Sequence, residues 1–185
     1  MTSFQQEIAL EPGETVIGLV QRASLIGMAH VDPYITALNE MQSHVEDKDF
    51  THALLILDYA TANLPPAPLN FERALLENLR GLIALFKGDA KTARAWFEKA
   101  EASCPDGTIA DAVTSVNSAF ADLQLDRDAE GVRHIEALLR DKPPTDKVLL
   151  ATAYMTLAAG RLGVGDVAGA DRAIIEAIRA NPDSS

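Results

Sequence analysis

Proline recurs along this chain at nearly constant intervals, and this spacing limits the chain to short elements. Pro65, Pro105, Pro143 and Pro182 are separated by 40, 38 and 39 residues. Proline lacks a backbone N–H and clashes with the preceding helical turn, so each one ends a helix. The stretch between two such prolines has room for two helices and a tight turn. The period therefore predicts an array of repeated units.

Three further columns keep their chemistry when these prolines are aligned. The residues twelve positions before each proline are small, those eight before are large and apolar, and those five before are mostly small again. This series predicts a second helix in each unit that packs closely against the first. The columns are Ala53, Ala93, Gly131 and Ala170; Leu57, Phe97, Ile135 and Ile174; and Ala60, Ala100, Leu138 and Ala177.

Seventeen positions before each proline, the residues favour a turn. Gly88 and Gly165 occur there, each followed by an aspartate. Lys48 and Asp126 take the same place in the other two units. Glycine tolerates the left-handed conformation that ends a helix, and the aspartate accepts from the first free N–H groups of the next helix. Each unit is therefore predicted to be a helical hairpin that buries its apolar face against its neighbours.

The alanine and leucine content agrees with an all-α chain. Together these strong helix formers supply 52 of the 185 residues, and no run of alternating β-branched residues occurs. Apolar residues make up 48% of the chain and charged residues 23%, which is ordinary for a globular protein. We therefore expect one helical repeat domain with a buried core.

These residues and their spacing resemble the tetratricopeptide repeat (TPR), a helix–turn–helix unit of about 34 residues. The best match is 74–107, where Gly81, Gly88, Phe97 and Pro105 stand in the places that the repeat prefers. The unit 112–145 has Asp122 where an aromatic residue is common. The resemblance implies an all-α fold, a right-handed superhelical array of about four TPR-like hairpins in residues 34–185. Its units are 34–67, 74–107, 112–145 and 151–184.

Residues 1–33 lie outside the period and form a separate N-terminal segment. Within it, 14–30 is apolar on more than one side, which predicts one buried helix. Three roles are open to this helix: it could cap the first unit, occupy the groove of the array, or join two copies of the chain.

The resemblance also implies that the first helix of each unit lines a concave face. The residues at its inward positions are apolar or neutral. Three asparagines among them are each 39 residues apart, and an amide can both donate to and accept from the backbone of a bound peptide. At any one of these positions, internal packing is the competing interpretation. The candidate groove consists of Leu38, Asn39, Gln42, Leu75, Asn78, Leu82, Val113, Val116, Asn117, Phe120 and Met155.

The predicted groove has no lysine or arginine, which bears on the partner. Relatives with a charged clamp hold the terminal carboxylate of chaperone tails, so a clamp of that kind is not expected here. An apolar peptide or an amphipathic helix is the expected partner, and the chain would act as an adaptor or chaperone. The chaperones of bacterial type III secretion are similar in size, acidity and groove character.

Net charge excludes two other classes of partner. Twenty-seven acidic and sixteen basic side chains give a charge of −11, which would repel nucleic acid and anionic membranes. Residues 1–11 lack a basic region followed by an apolar stretch, and no apolar run is long enough to span a bilayer. A cytoplasmic protein is the expectation.

Motifs for catalysis are missing from the sequence, so we expect no enzyme and no cofactor. No phosphate-binding loop, G-x-S-x-G elbow or His-Glu-x-x-His occurs. The histidines form no His-x3-His pair, and Cys104 is the single cysteine, so no metal site is expected either.

A second hypothesis is self-assembly into a structural scaffold. The helix predicted at 14–30 could join two copies. A basic stripe formed by Arg73, Arg80 and Lys87, which recur every seven residues, could also dock on the acidic first third of another copy. The alternative for the stripe is a solvated face on which Glu77 pairs with a neighbouring arginine.

Overall fold

The computed structural model describes residues 43–62, 64, 70–104 and 107–182, all of which lie in helices and the turns between them. Within these ranges there is no strand, which confirms the prediction of an all-α chain. The segment 1–33, with its predicted helix 14–30, lies outside the described residues. Residues 43–46 are helical, and seven longer helices follow: α1 (Phe50–Ala62), α2 (Asn70–Phe86), α3 (Ala90–Ser103), α4 (Ile109–Gln124), α5 (Asp128–Asp141), α6 (Lys147–Gly163) and α7 (Val167–Ala180).

Consecutive helices pack as hairpins: α2 on α3, α4 on α5, and α6 on α7. The second helix of one hairpin also packs on the first helix of the next, as α3 does on α4 and α5 on α6. The first helices contact one another as well, since α4 touches both α2 and α6. No helix among the described residues is both long and apolar enough to cross a membrane.

The same turn closes each hairpin. Lys48, Gly88, Asp126 and Gly165 all have a positive φ, between 57° and 80°. In each turn this residue and the next donate their N–H groups back to carbonyls of the helix that has just ended, at 2.7–3.1 Å. These two bonds satisfy carbonyls that the end of a helix would otherwise leave unpaired.

Aspartates begin the second helix in most of the hairpins. Asp49, Asp89 and Asp166 each accept from the backbone N–H three residues later. Arg127 takes this place before α5 and makes no side-chain cap bond, because a guanidinium has no acceptor. Hydrogen bonds from Thr92 and the charges of Lys87 and Lys91 lower the pKa of Asp89. The stabilisation that this cap gives is therefore present above the ordinary carboxyl pKa and is lost as the pH falls through the lowered value.

The three aligned columns form the interface within each hairpin. Every member is buried except Ile174, which is partly buried. A methyl group added at Gly81 would overlap the ring of Phe97, and one added at Gly131 would lie 2.8 Å from Leu123. Glycine at these two positions thus lets the large residue of the neighbouring helix fit.

A buried ion pair joins the second hairpin to the third. Nε of Arg94 on α3 lies 3.3 Å from both carboxylate oxygens of Asp122 on α4, and Asp122 is 4% exposed. Arg94 also approaches Glu101, which accepts a hydrogen bond from Ser118 on α4 at 2.5 Å. His134 on α5 lies 3.4 Å from the same carboxylate. Asp122, at a position where the resemblance predicts an aromatic residue, therefore forms a charged link between units.

We predict that Arg94→Met lowers the free energy of unfolding by about 3 kcal/mol, because it leaves the Asp122 charge buried without its closest partner. Asp122→Leu should act similarly, and the double variant should lose much less than the sum. Urea unfolding followed by circular dichroism measures all three. Arg140→Met removes an exposed pair with Asp141 and should leave the midpoint unchanged. An Arg94→Met midpoint equal to that control would contradict the prediction.

Candidate functional site

Most of the predicted concave face lies inside the helix packing. Phe120 and Met155 are 42% and 52% exposed, so both present apolar surface to solvent. Leu38, Asn39 and Gln42 lie outside the described residues. The remaining six members are buried: Leu75, Asn78, Leu82, Val113, Val116 and Asn117.

Two of the three asparagines bind each other. Nδ2 of Asn117 on α4 donates to Oδ1 of Asn78 on α2 at 3.1 Å, and both side chains are buried. Nδ2 of Asn78 is buried without a hydrogen-bond partner in the described part of the chain. In this structure the amide pair links the first helices of two neighbouring hairpins, and its groups are not presented to a ligand.

Solvent exposure of the face increases toward the fourth unit. In the second unit Leu82 is buried, whereas in the third unit Phe120, at the equivalent position, is exposed. On α6, Met155, Ala159 and Leu162 are all exposed. They are spaced i, i+4 and i+7, so they lie along one side of this helix. We call these three residues the α6 stripe.

Further exposed apolar residues lie on a helix that contacts α6 and in the turn that follows α6. Phe120, on the neighbouring helix α4, is the counterpart of Ala159 in the aligned units. Val164 in the following turn and Val167 at the start of α7 are each about half exposed. Among the described residues, the accessible part of the predicted face is therefore short, apolar and uncharged, and it lies in the third and fourth units.

Arg80, in the middle of the basic stripe, is occupied by internal contacts. Its guanidinium lies 2.7 Å from a carboxylate oxygen of Asp58 on α1 and stacks over Trp96 on α3 at 5.1 Å. Lys99 approaches the Trp96 ring as well, at 3.9 Å. The carboxylate of Glu77 accepts a hydrogen bond from the hydroxyl of Ser103. This contact, and not the suggested pairing with a neighbouring arginine, engages Glu77. Arg80 and Trp96 thus hold α1, α2 and α3 together.

A cluster of two histidines and one aspartate lies at the first turn, and the sequence analysis did not find it. Nδ1 of His52 is 2.6 Å and Nδ1 of His44 is 3.5 Å from the same oxygen, Oδ2 of Asp49. The two imidazole rings stack, with centroids 5.2 Å apart. A search for histidines one helical turn apart misses them, because His44 precedes the turn and His52 follows it. The readable signal is the spacing His-x4-Asp-x2-His across a predicted turn.

The surroundings of Asp49 act on its pKa in opposite directions. Desolvation alone would raise it, but the hydrogen bonds to His52 and the charges of His52 and His44 together lower it below its ordinary value. The carboxylate therefore stays ionised to a lower pH than a free aspartate does. Its two oxygens have separate partners, because Oδ1 accepts from the backbone N–H of His52 while Oδ2 faces the rings.

Neither the protein-family models nor the curated proteins yield a match to this chain.

We predict that Asn117→Leu lowers the free energy of unfolding by about 2 kcal/mol, because it leaves the amide of Asn78 buried and unpaired. Replacing both asparagines by leucine should restore most of this loss, since no polar group then remains unsatisfied. Gln124→Leu, at an exposed position of the same helix, serves as the control in urea unfolding. If Asn117→Leu unfolds at the same urea concentration as this control, the amide pair does not stabilise the fold.

Proposed function

We propose that this chain is a protein-interaction module of the TPR kind, a right-handed superhelical array that holds the apolar side of a partner's amphipathic helix. The partner would lie on the α6 stripe and Phe120. The observation that carries the proposal is the exposure of these four apolar residues on two helices that contact each other.

The spacing of the α6 stripe supports a helical partner. Single exposed apolar residues are ordinary on a protein surface, but three along one side of a helix form a continuous strip. An amphipathic helix docks through anchors at i, i+3 or i+4 and i+7, which is the spacing that the stripe itself has. Met155 and Leu162 are already about half buried, so covering the rest of each side chain would contribute about 1 kcal/mol each.

The net charge of the chain indicates which charge the polar side of the partner helix should carry. The chain carries a net charge of −11, and the stripe itself carries none. A partner helix with lysine and arginine opposite its apolar side would be attracted to the chain and would not have to bury a charge. We therefore expect a basic amphipathic helix, bound in the cytoplasm by an adaptor or chaperone. The type III secretion chaperones are the nearest analogy, and it rests on resemblance alone.

The proposal can be tested with a synthetic amphipathic helix of leucine and lysine that carries a fluorescent label. The full chain should raise its anisotropy, and a scrambled peptide of the same composition should bind much more weakly. Met155→Glu and Leu162→Glu together should weaken binding at least about tenfold, because they place charges against the apolar side of the peptide. Both residues are exposed, so the fold should tolerate the changes.

Leu55→Glu is the matched control, because Leu55 is an exposed leucine on α1, away from the stripe. It should bind the synthetic helix as the unaltered chain does. Equal binding of the scrambled peptide would show that charge alone attracts the probe. Unchanged binding by the Met155/Leu162 variant would reject the stripe as the docking surface.

The outer side of α7 favours self-assembly as a second candidate function. On α5, Glu136 pairs with Arg161 of α6 at 2.9 Å, and Leu139 is partly buried in the core. The aligned residues on α7 are Ile175 and Ile178, and both are about half exposed. No helix follows α7 among the described residues. The side of α7 that corresponds to this side of α5 is therefore apolar and about half exposed.

A second copy of α7 fits this side. Two α7 helices that cross antiparallel at Ile175 would place Asp171 of each copy opposite Arg179 of the other. The contact would be the same from both sides, as a two-fold dimer requires. Of the two routes suggested by the sequence, the basic stripe is less favoured because Arg80 is engaged by Asp58 and Trp96. The route through 14–30 lies outside the described residues.

Charge reversal tests this dimer. Asp171→Arg and Arg179→Asp should each weaken association by about tenfold, because each sets like charges opposite one another, and the double variant should restore it. Light scattering over a range of concentrations measures the mass. A chain that stays monomeric at the highest concentration, or a double variant that associates no better than the single ones, would reject the α7 dimer.

A further inference from the structure

We propose that the turn before α1 binds a divalent transition-metal ion through His44, Asp49 and His52. One ligand atom from each of these residues lies within 4.8 Å of the other two. The set combines two imidazole nitrogens with one carboxylate oxygen, which is a common donor set for zinc, iron and nickel in proteins.

The distances between the ligand atoms are close to those around a tetrahedral ion. Two ligands at about 2.0–2.1 Å from zinc lie about 3.4 Å from each other. Nδ1 of His44 and Oδ2 of Asp49 are 3.5 Å apart. Nδ1 of His52 is closer to Oδ2, at 2.6 Å, because the two atoms share a hydrogen bond. A metal ion would replace this hydrogen bond, and a small rotation of the His52 side chain would open the distance.

The backbone of the repeated turn brings these three positions together. At the turn before α7, Arg161 stands in the place of His44, Asp166 in that of Asp49, and Gly169 in that of His52. Arg161 donates to the carbonyl of Gly169 at 3.0 Å and lies 3.9 Å from a carboxylate oxygen of Asp166. The contact among the three positions is thus a property of the turn and recurs with different side chains.

Of the four turns, only the first has side chains suited to bind a metal at all three positions. The turn before α3 has alanine, aspartate and threonine at these places, and the turn before α5 has aspartate, arginine and glutamate. An arginine or an apolar residue prevents the binding of a cation at each of the other turns. The metal site therefore depends on the identity of the side chains of His44 and His52, because the backbone of the turn is the same in all four hairpins.

Asp49 can cap α1 and bind a metal at the same time. Its Oδ1 accepts from the backbone N–H of His52, while Oδ2, which faces the two imidazole rings, can exchange its hydrogen bond with His52 for a bond to the metal. The side chains of the cluster are between about one-third and two-thirds exposed, so an ion has access from solvent. Three protein ligands leave a fourth position for water or for a group from another molecule.

Metal binding should join residues 43–46 to α1 across the turn. His44 belongs to the first of these segments, and Asp49 and His52 hold the start of the second. An ion that binds the folded turn and not the unfolded chain stabilises the fold in proportion to the logarithm of its concentration over Kd. The first hairpin would then depend on the metal, while the later hairpins would not.

Zinc titration of the full chain by isothermal calorimetry tests the site. We expect one ion per chain, with binding weakened at least about tenfold in His44→Ala and in His52→Ala, since each removes one ligand. Asp49→Asn should also weaken binding, while the amide still caps α1. Co²⁺ added in place of zinc should give the visible absorption of a tetrahedral site, and this absorption should be lost in the same variants.

His134→Ala is the matched control, because His134 contacts Glu101 at a distance from the cluster. It should bind zinc as the unaltered chain does, and circular dichroism should show the same helical content in every variant. The proposal is overturned if the unaltered chain binds zinc no better than the His44→Ala/His52→Ala double variant. It is also overturned if His134→Ala loses as much affinity as the cluster variants do.

Discussion

The turn between the two helices of each hairpin is the constraint on which the rest of the structure depends. One residue with positive φ and two backbone hydrogen bonds end the first helix, and the second helix begins two residues later. This geometry sets how far one helix is shifted along the other, so the small and large columns meet at every hairpin. A glycine is best suited to the turn, but Lys48 and Asp126 adopt the same conformation, which the packing of the flanking helices must then hold in place.

Polar side chains link one hairpin to the next, in addition to the apolar core. Arg80 binds Asp58, Arg94 binds Asp122, Asn117 binds Asn78, and Arg161 binds Glu136, each pair across two different helices. Such contacts contribute little net stability when they are formed but cost much when one partner is lost. They therefore specify which faces meet and in what register. The Asn117–Asn78 pair lies on the predicted face itself, so two of its amides bind each other within the packing.

The period, the turns and the all-α fold were readable from the sequence because each depends on residues close together in the chain. The exposed part of the predicted face was not, because the burial of a residue depends on which side chains of the neighbouring hairpin lie over it. Leu82 and Phe120 occupy equivalent positions, yet one is buried and the other exposed. The 39-residue spacing of the asparagines was itself informative: residues one repeat apart are neighbours in an array, so two amides at that distance can bind each other. The histidine cluster escaped a search along single helices because its members lie on both sides of a turn.

The fourth unit differs from the inner units in where it places apolar surface. Positions that are charged or at least partly buried in the second and third units hold Met155, Ile175 and Ile178 in the fourth, and all three are exposed. In a repeat array each unit contacts only its neighbours, and the small and large residues of the hairpin columns pack within their own unit. The outer positions of one unit can therefore change without disturbing those columns. The fourth unit keeps its small residues Ala170 and Ala177 buried while its outer sides become apolar. The same separation lets the first turn carry His44 and His52 beside Asp49 without a change in its backbone conformation, so different parts of one repeated scaffold can hold side chains of different chemistry.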